Sequence, residues 1–382
     1  MSVKPWLLVA GDFTPFGGMD AANHALARYL AARGEVHLVT HRAWPDLASL
    51  PGVTVHRVWR PFDWNFFGSA LLAKRGEHVW RELAPRHVRA IVNGGNCDVR
   101  AANWVHYLHA AYVPITAGSI VRRSKGWLVH ARDLAAERRG LRHARVVICN
   151  SRRTQEDVVA RTGVEASRTH VVYYGSDPER FSMVDASGRA AAKEALGFSA
   201  DRPLVGFIGA LGDRRKGFDT VFRAWTELCR RPTWDADLIV VGWGAELSDW
   251  RRRAREAALD DRIRFVGARR DIPDVLAALD ALVHPPRYEA YGLSVHEALC
   301  RGVPALVSAA AGVAEHYPPQ LSDLLIANPD DPRELVARLG AWRCDSERFR
   351  VLVMPLSDKL RRRTWDAMAS EIAGLVDCAG AA

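Results

Sequence analysis

No apolar run in this chain approaches the roughly 18 residues that a bilayer span requires. The opening Met-Ser-Val-Lys-Pro-Trp-Leu-Leu-Val-Ala also has too short an apolar block for a signal peptide. These absences predict a protein that stays in the cytoplasm. Cysteine is sparse: six residues, at 97, 149, 229, 300, 344 and 378, with no paired spacing. That pattern points away from a zinc site and from a disulfide framework, and predicts small buried residues. Internal repeats and low-complexity tracts are missing, as are recognition-helix, zinc-finger and aromatic-basic strand motifs for nucleic acid. Nucleic acid is therefore not an expected partner.

A chain of 382 residues is too long for one compact core and suits two domains. Its 48% hydrophobic and 25% charged residues are those of a soluble globular protein. The net charge of +9 is unevenly placed. Residues 1–180 carry 25 Lys and Arg against 15 Asp and Glu, whereas residues 181–382 carry 28 against 29. All of the basic excess thus lies in the first half, which suggests an acidic surface or substrate.

The most informative stretch runs from His284 to Pro304. Asp280-Ala-Leu-Val-His284 is an apolar run of strand type stopped by Pro285-Pro286, and Leu293 to Cys300 has helical spacing closed by Gly302 and Pro304. Glu289 falls on the loop and Glu297 about one turn into the helix, with Gly292 between them. Free amides at a helix start attract phosphate. Carboxylates flanking such a pocket repel phosphate but accept hydrogen bonds from sugar hydroxyls. The combination describes a nucleotide-sugar.

The stretch resembles the two-glutamate motif of glycosyltransferase family 4, retaining enzymes of the GT-B fold, with Ala290 where members usually have Gly. The resemblance implies that Glu289 faces the transferred sugar and Glu297 holds the ribose, with Tyr291, Gly292 and Leu293 lining the donor between them. Other segments are similar in order. Trp6 to Gly11 reads as a buried strand followed by a glycine loop without the Gly-x-Gly-x-x-Gly order, and Gly17 and Gly18 match the family loop over the donor phosphates. Trp104 to His109 reads as a strand. Its Tyr107-Leu-His109 resembles the Tyr-x-His run whose histidine lies beside the sugar, so His109 is the first candidate for a catalytic positioning role and His106 the second. A histidine can exchange protons near neutral pH, yet the family's leaving phosphate is thought to take the acceptor proton.

Leu204 to Gly209 opens a second strand-loop-helix unit, and Arg215-Lys216-Gly217 on its loop is a diphosphate clamp by chemistry, two cations beside a glycine. It resembles the family's Arg-Lys-Gly. Many members place the arginine just after the strand glycine, where this chain has Ala210, so Arg214 or Arg215 must supply the guanidinium. Gly242, after the strand Asp237 to Val241, and Arg269, near the turn that holds the nucleotide base, complete the donor set that the resemblance implies. Pro304 to Ser308, Ala311 to Glu315 and Val171 to Phe181 are similar to further family segments.

Between these motifs lie two unusual stretches. Trp59 to Phe67 holds five aromatics, either a packing face or an exposed rim for an acceptor or lipid; Arg122 to Arg153 holds ten basic residues against Asp133 and Glu137. The expectation is an α/β protein of GT-B type: two Rossmann-like domains facing a central cleft. Residues 1–185 would bind the acceptor, 200–362 the nucleotide-sugar, and a C-terminal helix, 363–382, would cross back to the first domain. The implied reaction moves a hexose from a nucleoside-diphosphate sugar to a glycan, lipid-linked or of the cell envelope, without a metal or further cofactor, since side-chain cations and helix amides can stabilise the departing diphosphate. The basic first half adds an anionic surface, the inner membrane face, as a partner. The alternatives are a soluble transferase acting on a small aglycone and a sugar-nucleotide epimerase. The chain shows no motif for an epimerase or a phosphorylase, and a degenerate binder would be expected to lose Glu289, Lys216 or both, which are present.

Overall fold

The computed structural model describes residues 4–61, 65–115, 120–212 and 214–381. The chain divides into two compact units, one holding Met1–Val113, Gly118–Gly175 and Arg363–Ala382, the other Pro114–Ala117 and Ser176–Arg362. The boundary thus falls ahead of the polar connector at 182–201, and the connector belongs to the second unit. Its helix carries Lys193, which is buried and ion-paired to Asp280 at 2.7 Å, so the segment is packed structure.

The first unit runs β1 (Trp6–Val9), β2 (Asp12–Phe13), α1 (Gly18–Ala31), β3 (Val36–Thr40), β4 (Arg42–Ala43), α2 (Pro45–Ala48) and β5 (Val53–Arg57). It continues through α3 (Asn65–Leu83), β6 (Arg89–Val92), β7 (Ala102–Val105), α4 (Ile120–His143), β8 (Val146–Cys149), α5 (Arg152–Thr162) and β9 (Thr169–Val171). Seven of these strands form a parallel sheet in the order β5-β3-β1-β6-β7-β8-β9. β1, β3, β7 and β8 are buried throughout, as parallel strands covered by helices on both faces must be. The Ser151 hydroxyl caps α5 by accepting from the Thr154 amide at 2.9 Å, and Gly163 ends it in the left-handed region.

The second unit holds α6 (Ala186–Ala195), β10 (Leu204–Ile208), α7 (Phe218–Leu228), β11 (Asp237–Val241), α8 (Leu247–Glu256), β12 (Ile263–Gly267) and α9 (Ile272–Ala277). After them come β13 (Ala281–His284), α10 (Leu293–Cys300), β14 (Ala305–Ser308), β15 (Leu325–Ile326), α11 (Pro332–Cys344) and α12 (Ser346–Arg361). Its six strands are parallel in the order β12-β11-β10-β13-β14-β15. Trp225, Trp342, Phe207 and Phe349 fill its core. The last helix, α13 (Trp365–Ala381), packs on α1, β6 and β8 of the first unit. Both sheets follow the doubly wound order in which direction reverses between the first strand and the fourth, and ligands gather at the carboxyl ends of those two strands.

Some expectations fail locally. β7 stops at Val105, four residues short of the expected strand end, and His109 opens a single 3-10 turn, His109–Ala111. Cys97, Cys149 and Cys300 are buried, but Cys344 and Cys378 are exposed on helices. Trp59 is exposed; the side chains of Phe62, Trp64, Phe66 and Phe67, and of Arg122, Arg123 and Lys125, lie outside the described residues.

Candidate active site

In the second unit the reversal lies between β10 and β13, so the loops after these strands are neighbours in space. The β10 loop brings Lys216, and the β13 loop brings Glu289. The Lys216 ammonium donates to Glu289 Oε2, and His284 Nε2, at the end of β13, lies 3.2 Å from the same oxygen. All three side chains are largely or wholly withdrawn from solvent. Burial by itself would raise the Glu289 carboxyl, but the Lys216 charge, the His284 hydrogen bond and the Arg215 charge outweigh it and hold the group below the usual carboxylate range. His284 moves down, chiefly through burial and then through Lys216 and Arg215 against the opposing pull of Glu289. A neutral imidazole donating through Nε2 to an ionised carboxylate satisfies both shifts.

Of the two arginines left open by Ala210, Arg215 is the one on the Glu289 side. Arg215 turns toward the β13 loop, its Nη1 3.5 Å from the Tyr288 carbonyl, and its charge acts on Glu289. Arg214 faces the other way, its Nε 3.8 Å from Glu246. Gly217, which precedes α7, has φ +74°, and a Cβ there would collide with the Pro285 carbonyl oxygen. No larger residue lets the two loops approach this closely. Gly209 follows β10, with its amide donating to the Val241 carbonyl at 3.0 Å, and Gly242 follows β11 with its amide donating to the Gly267 carbonyl at 2.9 Å.

Arg287 is a residue that the sequence reading missed. Its guanidinium forks onto both oxygens of Asp219, in the first turn of α7, at 2.8 Å each, reaches Asp330 at 2.7 Å, and donates to the Arg214 carbonyl. One side chain therefore ties the β13 loop to the β10 loop. Its place three residues after His284, inside the central stretch, was the available signal. From the far side Ser308 Oγ donates to the Pro286 carbonyl at 2.7 Å, and the amides of Gly312 and Val313 donate to the carbonyls of Glu289 and Tyr291 at 3.2 and 2.7 Å.

Gly292, in the left-handed region, precedes α10, and no side chain caps the amides of α10 or α7. Ala290 and Leu293 are buried beside it, and the Tyr291 hydroxyl meets His296 Nδ1 at 2.7 Å. The Glu297 side chain makes no hydrogen bond or ion pair among the described residues. Burial raises its carboxyl to about 8 despite the opposing charge of Arg180. Arg269 is engaged with Asp271 on the turn before α9.

In the first unit, Gly17 (φ +84°) precedes α1 and Gly18 begins it. Asp20, in the first turn, is raised to about 7 by burial and by the charge of Asp12, against Arg42 and Arg60. His106 follows β7 into the interior. Its Nδ1 meets the Tyr174 hydroxyl and its Nε2 lies 3.3 Å from Asn23 Oδ1, while Asn93 donates to that oxygen at 3.0 Å and Asn150 to Tyr174 at 3.2 Å. Burial takes its pKa down to about 3. With both ring nitrogens engaged it is a neutral interior histidine. His109 keeps part of its surface open. Its turn is gripped by Glu137 of α4, which accepts from the His109 and Ala110 amides at 2.8 and 3.1 Å. Burial lifts Glu137 to about 7 against those two bonds. Leu134 and Leu141, three before and four after Glu137, mark it as lying on the apolar face of a cationic helix, a signal the sequence held.

A family model described as Glycosyltransferase Family 4 matches residues 16–180, and one described as Glycosyl transferases group 1 matches residues 202–343. The 2-deoxystreptamine N-acetyl-D-glucosaminyltransferase of Streptomyces fradiae is 30% identical over 388 residues, covering 90% of this chain and 86% of that enzyme. The chain belongs to glycosyltransferase family 4. The lipopolysaccharide core biosynthesis mannosyltransferase LpsB of Rhizobium meliloti is 31% identical over 206 residues, 52% of this chain and 58% of that enzyme, so this match spans little more than half of the relative. Among solved structures, Anabaena Alr3699/HepE in complex with UDP and glucose superposes with a TM-score of 0.73 at 19% identity, covering 98% of this chain and all of that one. Two Rossmann-like halves of the GT-B type are thus the fold of this family 4 chain.

Proposed function

We propose that this family 4 glycosyltransferase moves a hexose from a nucleoside-diphosphate sugar to a glycan with the anomeric configuration retained, and without a metal ion or further cofactor. The observation that carries the reading is the contact of Lys216 with Glu289, beside Arg215 and His284, at the carboxyl ends of β10 and β13. A diphosphate entering this place meets two cations and the uncapped amides of α7 and α10, which supply positive charge where the leaving group forms. Lys216 would then exchange its carboxylate partner for phosphate oxygens. Glu289, held ionised, would be left to accept a hydrogen bond from a sugar hydroxyl, and Glu297 to meet the ribose. A nucleotide-sugar donor fits the UDP and glucose of the Anabaena neighbour.

Two acceptor classes compete. The described part of α4 carries Arg132, Arg138, Arg139 and Arg142, with Trp127 and Leu128 exposed at 66% and 59%, which favours a lipid-linked acceptor at an anionic membrane. Such a surface gains about 1 kcal/mol per cation near the leaflet. No helix of the described residues is long and apolar enough to cross a membrane. The name of the Streptomyces relative, which covers most of the chain, favours a small aglycone. Incubation with UDP-, GDP- and ADP-sugars should release nucleoside diphosphate slowly from one donor class; release from none of them by folded protein would end the proposal. Co-sedimentation with anionic vesicles at low salt, lost at high salt, supports the lipid-linked acceptor, and protein left in the supernatant supports the small one.

A further inference from the structure

At the amino ends of β6, β7 and β8, the first unit has an open cavity of about 340 Å³. Trp80 and Val146 give it apolar walls, and Val376 of α13 closes one side. Lys4, Arg89, Arg100 and Arg145 also line it, against Asp377 as the only acid among the described residues that line it. Asp377 is taken by Arg89, at 3.3 Å. The Lys4, Arg100 and Arg145 side chains make no ion pair or hydrogen bond among the described residues. Arg89 is held by Asp377, by the Lys4 carbonyl at 2.6 Å and by the face of Trp6 at 4.1 Å, yet its Nε is buried with no partner.

Like charges gathered around one concavity repel each other unless an anion joins them, and a buried guanidinium N–H without an acceptor is costly. The size is that of a small-molecule site. We propose that this cavity binds a small phosphorylated molecule, with Arg100, Arg145 and Lys4 on the phosphate and the apolar walls against its carbon frame. The site is separate from the Lys216–Glu289 cluster and does not depend on the donor reading. Because α13 closes it, occupancy fastens that helix to β6.

Calorimetric titration with glucose 6-phosphate, with glucose as the uncharged control, tests the proposal on the full chain. Three proteins are compared: unaltered chain, Arg100→Ala/Arg145→Ala, and Lys216→Ala. The arginines are exposed, so the double variant should fold, which its circular dichroism and melting temperature will confirm. The proposal expects saturable binding of the phosphate sugar and not of glucose. Affinity should fall about tenfold or more in the double arginine variant, as loss of charge-assisted bonds requires, and stay unchanged in Lys216→Ala. No saturable heat from the unaltered chain, or equal affinity in the double variant, overturns it. Loss confined to Lys216→Ala also overturns it, because the phosphate would then be reporting the donor site.

Discussion

Lys216 Nζ and Glu289 Oε2 are in direct contact although 73 residues separate them in sequence. The contact follows from topology. β10 and β13 are adjacent parallel strands, so their following loops rise on the same edge of the sheet and share the space above it. The carboxylate is thereby kept ionised in a place that would otherwise neutralise it.

Glu289→Gln should lower kcat by about a hundredfold, the scale of one preorganised electrostatic contact at a reacting centre, while nucleoside-diphosphate affinity changes little. Glu297→Gln should show the reverse, with a raised donor KM and a smaller effect on kcat. Steady-state kinetics on both variants checks the division. Equal loss of donor affinity in the two would show that both glutamates serve the nucleotide.

Arg287→Ala should destabilise the chain by about 3 kcal/mol, because Asp219, largely buried, loses its bidentate partner. Arg287→Lys should recover only part of this, since an ammonium cannot fork onto two oxygens. Urea denaturation measures both. A fully stable Arg287→Ala would mean that the two loops hold together without this brace.

The Glu297 carboxyl, raised to about 8 in the fold against 4.5 for an ordinary glutamate, makes stability depend on pH with a definite sign. Between these values the folded chain keeps a proton that the unfolded chain releases. This contribution is complete below about pH 4.5 and lost as pH climbs through 8. Glu297→Gln, which cannot ionise, should gain on the unaltered chain by about 1–2 kcal/mol between pH 6 and pH 9 once solvent access to the side chain is discounted. Melting temperatures at the two pH values will show it. An advantage that shrinks toward pH 9 would refute the sign.

His106→Ala should cost about 1–3 kcal/mol of stability by taking one hydrogen-bond partner each from Tyr174 and Asn23 in the core. His109→Ala should leave stability nearly unchanged and lower turnover. Denaturation and kinetics on the pair separate an interior histidine from one beside the substrate.

The fold was legible because each strand, glycine loop and helix announced itself locally, and the strands' order then follows from doubly wound topology. Lys216 and Glu289 were legible for the same reason, since each lies on a loop that local pattern marks. His106 was not. Its partners Tyr174 and Asn23 stand 68 and 83 residues away, and nothing near Trp104 signals that they converge there. The direction of Arg215 against Arg214 was hidden too, because it is read from a contact with the Tyr288 carbonyl, 73 residues away. The unit boundary escaped because a polar, alanine-rich segment reads as a linker until Lys193 is seen buried against Asp280.

If Lys216 leaves Glu289 for the diphosphate of the donor, calorimetric titration of nucleoside diphosphate into the unaltered chain and Lys216→Ala should show binding weaker by about 1.5–3 kcal/mol, roughly ten- to over a hundredfold in Kd, in the variant. Unchanged affinity would contradict it and place the diphosphate elsewhere.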